Sequence, residues 1–184
     1  MFEINLRVLG TIDTILNQLK RHGFKIVEQN ECVVKYFLDN NAKINEVNKD
    51  NIKYKSFQAI ERISKNNKYD QKCLIKYCDN KEQMYEKNIN LSLKTMTEIL
   101  TFFDYLLLSE NNESQIVLNK ENCFLTIHNN YNTGIYISYK NLDYDKDEKY
   151  IHHAKLIHDI KNYGLILINN EVDIFENINI NNLV

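Results

Sequence analysis

The sequence predicts an α+β domain, a mostly antiparallel, barrel- or tunnel-like sheet with helices packed outside it. Three observations predict this. Segments with period-two hydrophobicity recur along the chain, three segments carry helical apolar stripes, and the order is strand, helix, several strands, helix, several strands, helix. Short connections favour antiparallel pairing, whereas a doubly wound parallel sheet would alternate strand and helix throughout. With 184 residues, 43% hydrophobic and 26% charged, the chain reads as a single domain over 1–184 with a core of its own.

The first element is a strand at 2–9. Phe2, Ile4, Leu6 and Val8 alternate with Glu3, Asn5 and Arg7. A helix over 12–22 follows, capped by Thr11. It has an apolar stripe at Ile12, Ile15, Leu16 and Leu19, a basic last turn at Lys20 to His22, and Gly23 just past its end. Residues 24–38 read as extended in two pieces, separated by the polar stretch Glu28–Glu31. Residues 39–50 are polar and read as a loop. Strands at Tyr54–Ser64 and Lys72–Cys78 flank a turn at 65–70, and a short strand is expected at Asn88–Leu93. Thr95 and Glu98 fit a capping box opening the second helix, with Met96, Ile99, Leu100, Phe103 and Leu106 as its apolar face. Strands fill Glu113–Lys140 with a turn at 132–134, and 141–149 is a loop. A third helix spans 150–163, with Ile151, Ala154, Ile157 and Ile160 as its apolar residues and Gly164 past its end.

Composition narrows the function. The formal charge of −2 gives no reason to expect a nucleic-acid or membrane-surface binder. The N-terminal stretch carries charges early and lacks an apolar signal core, and no apolar run could span a bilayer. The four cysteines form no C-x-x-C pair. A reduced, cytoplasmic protein is expected. Asn, Lys, Ile and Tyr are heavily used together, as an AT-rich genome would favour, and Arg occurs only at Arg7, Arg21 and Arg62. With 4 Gly and no Pro, there is neither a P-loop nor a dinucleotide-binding fingerprint. His152, His153 and His158 read as surface residues of the third helix, and the cysteines as packed thiols.

The informative feature is that several strands each carry a cation or a carboxylate. Glu3 and Arg7 share a face of the first strand. Arg62 shares one with Gln58, Ile60 and Ser64. Lys76, Glu86 and Lys120 lie in or beside later strands. Residue types alone are explained by sheet faces that meet water. The sharper reading is a polar-lined tunnel, in which cations hold a polyphosphate and carboxylates hold a divalent metal.

The order of these features resembles the CYTH, or triphosphate tunnel, family, which includes class IV adenylyl cyclases, thiamine triphosphatases and inorganic triphosphatases. The family's N-terminal Glu-x-Glu-x-Lys strand is similar to Glu3-Ile4-Asn5-Leu6-Arg7 here. Tyr36-Phe37 with Asp39, Glu61-Arg62-Ile63-Ser64, Cys73-Leu74-Ile75-Lys76, Glu86 ahead of a helix, and Lys120-Glu121-Asn122 follow in the family's order over roughly 2–163. The departures are Asn5 for a glutamate, Arg7 for the lysine, Ser64 and Asn122 for arginines, and Ser138-Tyr139-Lys140 for a late Glu-x-Glu. The resemblance implies that Arg7, Arg62, Lys76 and Lys120 bind substrate phosphates. It implies that Glu3 and Glu86 help hold Mg²⁺ or Mn²⁺. The implied partner is a small-molecule triphosphate, nucleotide or organic, which is hydrolysed or cyclised. The alternative is a degenerate, non-catalytic binding or interaction module. No catalytic residue and no oligomeric state is assigned.

Overall fold

The computed structural model describes residues 3–38, 56–65, 71–78, 84–131, 134–144 and 149–171. Its elements, in chain order, are β1 (Ile4–Leu9), α1 (Ile12–Arg21), β2 (Lys25–Leu38), β3 (Ser56–Ser64), β4 (Gln71–Cys78), β5 (Met84–Ile89), α2 (Leu93–Phe102), β6 (Leu106–Lys120), β7 (Cys123–Asn130), β8 (Gly134–Asn141), a 3-10 turn (Leu142–Tyr144), α3 (Lys149–Asn162) and β9 (Ile166–Glu171). Hydrogen-bonded neighbours run β5-β4-β3-β2-β6-β7-β8-β1-β9. β1 pairs antiparallel with β8 and β9, β3 with β2 and β4, β4 with β5, and β7 with β8. The fold class is α+β with an antiparallel sheet, as the element order requires. Residues 1–2, the expected loop at 39–50, residues 51–55 and 79–83, the turn residues 66–70 and 132–133, residues 145–148 and the tail beyond Glu171 lie outside the described residues; of the loop expected at 141–149, Asn141 ends β8, 142–144 form the 3-10 turn and Lys149 opens α3.

The chain forms two compact units. Unit 1 takes Met1–Gln29 and Ser114–Asp173, and unit 2 takes Asn30–Glu113 and Ile174–Val184. In unit 1 the core is the even face of β1 (Ile4, Leu6, Val8) with Leu118, Leu125, Ile127, Ile137 and Tyr139. Onto these pack Ile15 and Leu19 of α1 and Leu156 and Ile160 of α3. Burying aliphatic side chains of this size stabilises by roughly 1.5–3 kcal/mol each. α1 begins where Thr11 accepts a hydrogen bond from the Thr14 backbone N–H at 3.3 Å. It ends where Gly23 turns to φ +89°, a conformation other residues adopt only with strain.

Unit 2 buries apolar residues on both sides of β2–β3–β4. Cys32, Val34, Tyr36, Leu38, Ile60 and Leu74 cluster on one face. Phe37, Ala59 and Cys73 on the other receive Leu93 and Met96 of α2. Alternation of side chains along each strand separates the two sets.

Three sequence expectations move. β2 is one continuous strand, because Asn30 and Glu31 stay in the ladder opposite Ser64 and Ile63. The strand before α2 lies at Met84–Ile89, not 88–93, since pairing to β4 fixes it. α2 is capped by Ser92 rather than Thr95. The Ser92 hydroxyl accepts from the Thr95 N–H at 3.1 Å, and Glu61 Oε1 accepts from the Leu93 N–H at 3.2 Å. α2 therefore stops at Phe102. Phe103 is exposed, and Leu106 opens β6.

α3 keeps Ile157 and Ile160 of the expected face on the core but turns Ile151 and Ala154 outward. His152, Leu156 and Ile160, four apart, are buried, and Ile151 is exposed. His152, read as a surface residue, is 1% exposed and donates from Nδ1 to the Tyr144 carbonyl oxygen at 2.7 Å. That bond lets an imidazole occupy an apolar face.

Candidate functional site

The polar strand faces are largely buried, which the solvent-facing explanation does not predict. In unit 2 one cross-strand row runs Tyr36–Gln58–Lys76–Glu86 over β2, β3, β4 and β5. Gln58 is 5% and Lys76 9% exposed. Lys76 Nζ lies 3.6 Å from Glu86 Oε1, whose side chain is exposed. An ammonium taken so far from water requires such partners.

Arg62 stands on the same face of β3, opposite Cys32 on β2. The apolar row Val34–Ile60–Leu74 separates it from Lys76, and its position along β3 is four residues, about 13 Å of strand, from Gln58. The Arg62 guanidinium lies near enough to the Cys32 thiol to favour its ionised form. The Arg62 Nε is buried and has no hydrogen-bond partner among the described residues. Burial pushes the Cys32 thiol up to about 12, with the Glu113 carboxylate adding to the rise and Arg62 opposing it. Glu113, 3% exposed, is thus a buried carboxylate beside Cys32 and Arg62. The sequence reading placed it only at the start of a strand run. Its one signal is parity: Asn111, Glu113 and Gln115 recur every second residue along β6, and all are buried.

In unit 1, Glu3, Asn5 and Arg7 share the odd side of the N-terminal strand and are half-buried. Asn5 faces Ser138 of β8 and Arg7 faces Tyr136; these in turn face Thr126 and His128 of β7. Ser138 Oγ donates to Asn5 Oδ1 at 2.5 Å and lies 2.9 Å from His128 Nε2. Because the serine proton goes to Asn5, His128 must supply the proton of the second bond. Its Nε2 therefore carries hydrogen. The His128 ring stacks on Tyr136, with centroids 4.3 Å apart and planes 5° from parallel. This buried polar chain was not singled out from sequence. Polar Thr126, His128 and Asn130 alternating with apolar Leu125 and Ile127 would have marked the face, but not the cross-strand register.

Lys120 lies elsewhere. It follows Leu118 by two residues, so it shares the face of unit 1 that packs on the helices. Its Nζ sits 5.8 Å from the centre of the Tyr163 ring, and its Cδ and Cε lie beside Gly23. Arg7 is on the opposite parity, with Asn5. The structure thus gathers Arg62, Lys76 and Glu86 on one face of unit 2 and Glu3 and Arg7 on one face of unit 1, and sets Lys120 apart.

Carboxylates are scarce where a metal would need them. Among the described residues no three of His, Cys, Asp and Glu are grouped to hold a cation. Glu86 is paired with Lys76, and Glu61 caps α2. Glu113 in unit 2 and Glu3 in unit 1 belong to no such group, so the described donors do not fit a resident Mg²⁺ or Mn²⁺, which takes mostly oxygen ligands and several of them. Among the described residues no helix is long and apolar enough to cross a membrane.

No family model and no curated protein matches the chain. Solved structures do. A protein of Pyrococcus horikoshii matches with TM-score 0.68 at 13% identity, over 92% of this chain and 94% of its own. A candidate adenylate cyclase of Vibrio parahaemolyticus matches with TM-score 0.67 at 12% identity, over 92% of each chain. A chain of the Schizosaccharomyces pombe Mediator head module matches with TM-score 0.58 at 11% identity, over 94% of this chain and 100% of its own. The chain shares the fold of these structures, adenylate cyclase candidates among them, as the resemblance to the CYTH family implied.

Proposed function

We propose that this protein binds a nucleotide or other organic triphosphate, with Arg62 and Lys76 as the phosphate ligands on the polar face of unit 2 and Arg7, separately, as the one on that of unit 1. The observation that carries the reading is burial. Lys76 is buried and Arg62 half-buried on the same strand face, and the Arg62 Nε, buried and without a hydrogen-bond partner among the described residues, is a donor suited to a phosphate oxygen. Lys120, held over Tyr163, has no part in this proposal.

Calorimetric titration with tripolyphosphate and with ATP tests the binding. Arg62→Ala and Lys76→Ala should each weaken it about tenfold or more, the effect of losing one charge-assisted hydrogen bond. Absence of binding by the unaltered protein in every condition would refute the proposal.

A second reading is a binding or interaction module without catalysis. The sparse carboxylates favour it, and the same fold occurs in a chain of the Mediator head assembly. Turnover of a triphosphate, measured as released phosphate or cyclic nucleotide, would exclude it.

A further inference from the structure

We infer that the polar face of unit 1 takes its anion directly, without a bridging divalent cation, and that Asn5 serves there as a hydrogen-bond donor. The inference rests on the triphosphate reading above. A carboxylate at position 5 would offer two anionic oxygens to a metal. The amide offers one neutral oxygen, and that oxygen already accepts the Ser138 proton at 2.5 Å. Ser138 is itself held by His128 Nε2 at 2.9 Å, and the His128 ring is held against Tyr136. With Oδ1 pinned, the planar amide directs Nδ2–H away from Ser138.

The hydrogen bonds run in one sense, from His128 to Ser138 and from Ser138 to Asn5, so each polarises the next toward donation at Nδ2. Arg7 lies two residues along the same face, about 7 Å of strand away, and adds a cation to the same side. An amide donor and a guanidinium match phosphate oxygens. Glu3, two residues from Asn5 on the same face, offers a carboxylate, but it belongs to no metal-holding group among the described residues, and one carboxylate is too few for Mg²⁺ or Mn²⁺.

The test compares tripolyphosphate binding by the full chain in EDTA and in Mn²⁺, for the unaltered protein, for Asn5→Asp and for Arg7→Ala. The unaltered protein should bind in EDTA within about threefold of its affinity in Mn²⁺. Asn5→Asp keeps the shape and the bond to Ser138 but turns a donor into an anion. It should lose about tenfold in EDTA and recover with Mn²⁺. Binding by the unaltered protein only with Mn²⁺, still weakened by Arg7→Ala, would overturn this inference and leave the triphosphate reading standing. Unchanged binding by Asn5→Asp in EDTA would overturn the role of Asn5. No binding by the unaltered protein in either buffer would overturn both.

Discussion

Asp159 on α3 holds three groups at once. Its carboxylate accepts from the Tyr139 hydroxyl at 3.0 Å, the Tyr144 hydroxyl at 3.2 Å and Asn141 Nδ2 at 3.4 Å. Tyr139 is fully buried, so its hydroxyl depends on this acceptor and on Tyr163, 3.2 Å away. Burial pushes the Tyr139 phenol upward, with the bonds to Cys123 and Tyr163 adding to it. Replacing the carboxylate strands a buried donor. Asp159→Ala should destabilise unit 1 by about 2–3 kcal/mol, read from the urea unfolding midpoint, and Asp159→Asn should cost less because one acceptor remains. A loss below about 0.5 kcal/mol would mean that water replaces the carboxylate freely. The same logic applies to Lys76. Its side chain is buried with Glu86 beside it, so its charge belongs to the site rather than to the surface.

At the scale of the element, caps decide where helices begin. Ser92 and Thr95 bond each other's hydroxyls at 3.0 Å, and Ser92 also takes the Thr95 N–H. Ser92→Ala should therefore cost about 1 kcal/mol, while Thr95→Val should cost less, since Thr95 is not the cap. Equal losses would revive Thr95 as the helix start. Glu61 contributes from β3, accepting the Leu93 N–H. A carboxylate at a helix N-terminus also meets the positive end of the helix dipole. Glu61 thereby ties α2 to the sheet, with its neighbour Arg62 on the other face of β3. Strand alternation alone turns one residue toward a helix and the next toward the candidate site.

Across the described residues, Cys32, Tyr144 and Tyr163 shift in one direction. Burial raises Cys32 from 9.0 to about 12, and raises Tyr144 and Tyr163 from 10.0 to about 12, with the Asp159 carboxylate adding to the rise at Tyr144. Each is neutral when protonated, and the folded state holds the proton more tightly than the unfolded chain does. Their contribution to stability is complete below pH 9 and is lost as pH rises toward about 12. The urea midpoint should stay flat from neutral pH to pH 9 and fall steadily above it. A flat midpoint through ~pH 11 would show that these groups ionise without unfolding. A Cys32→Ala variant should lose part of that slope.

The sequence by itself determined the elements and their faces. Period-two alternation placed Glu3, Asn5 and Arg7 on one side of β1 and Arg62 with Gln58 on one side of β3, and Thr11, Gly23 and Gly164 bounded helices where expected. These signals are local, set by side-chain period and backbone conformation within a few residues. Tertiary structure alone decided what each face meets. Lys120 looked equivalent to Arg7 as a strand cation, yet one residue of parity sends it to the helix-packed side, over Tyr163. His152 looked exposed because helix period does not say which stripe is covered, and the Tyr144 carbonyl supplied the partner that lets it be buried. Asn5, Ser138 and His128 are 133 and 10 residues apart in successive steps and meet only through strand register. Register follows from pairing free energy summed over whole strands, and no short stretch of sequence contains it.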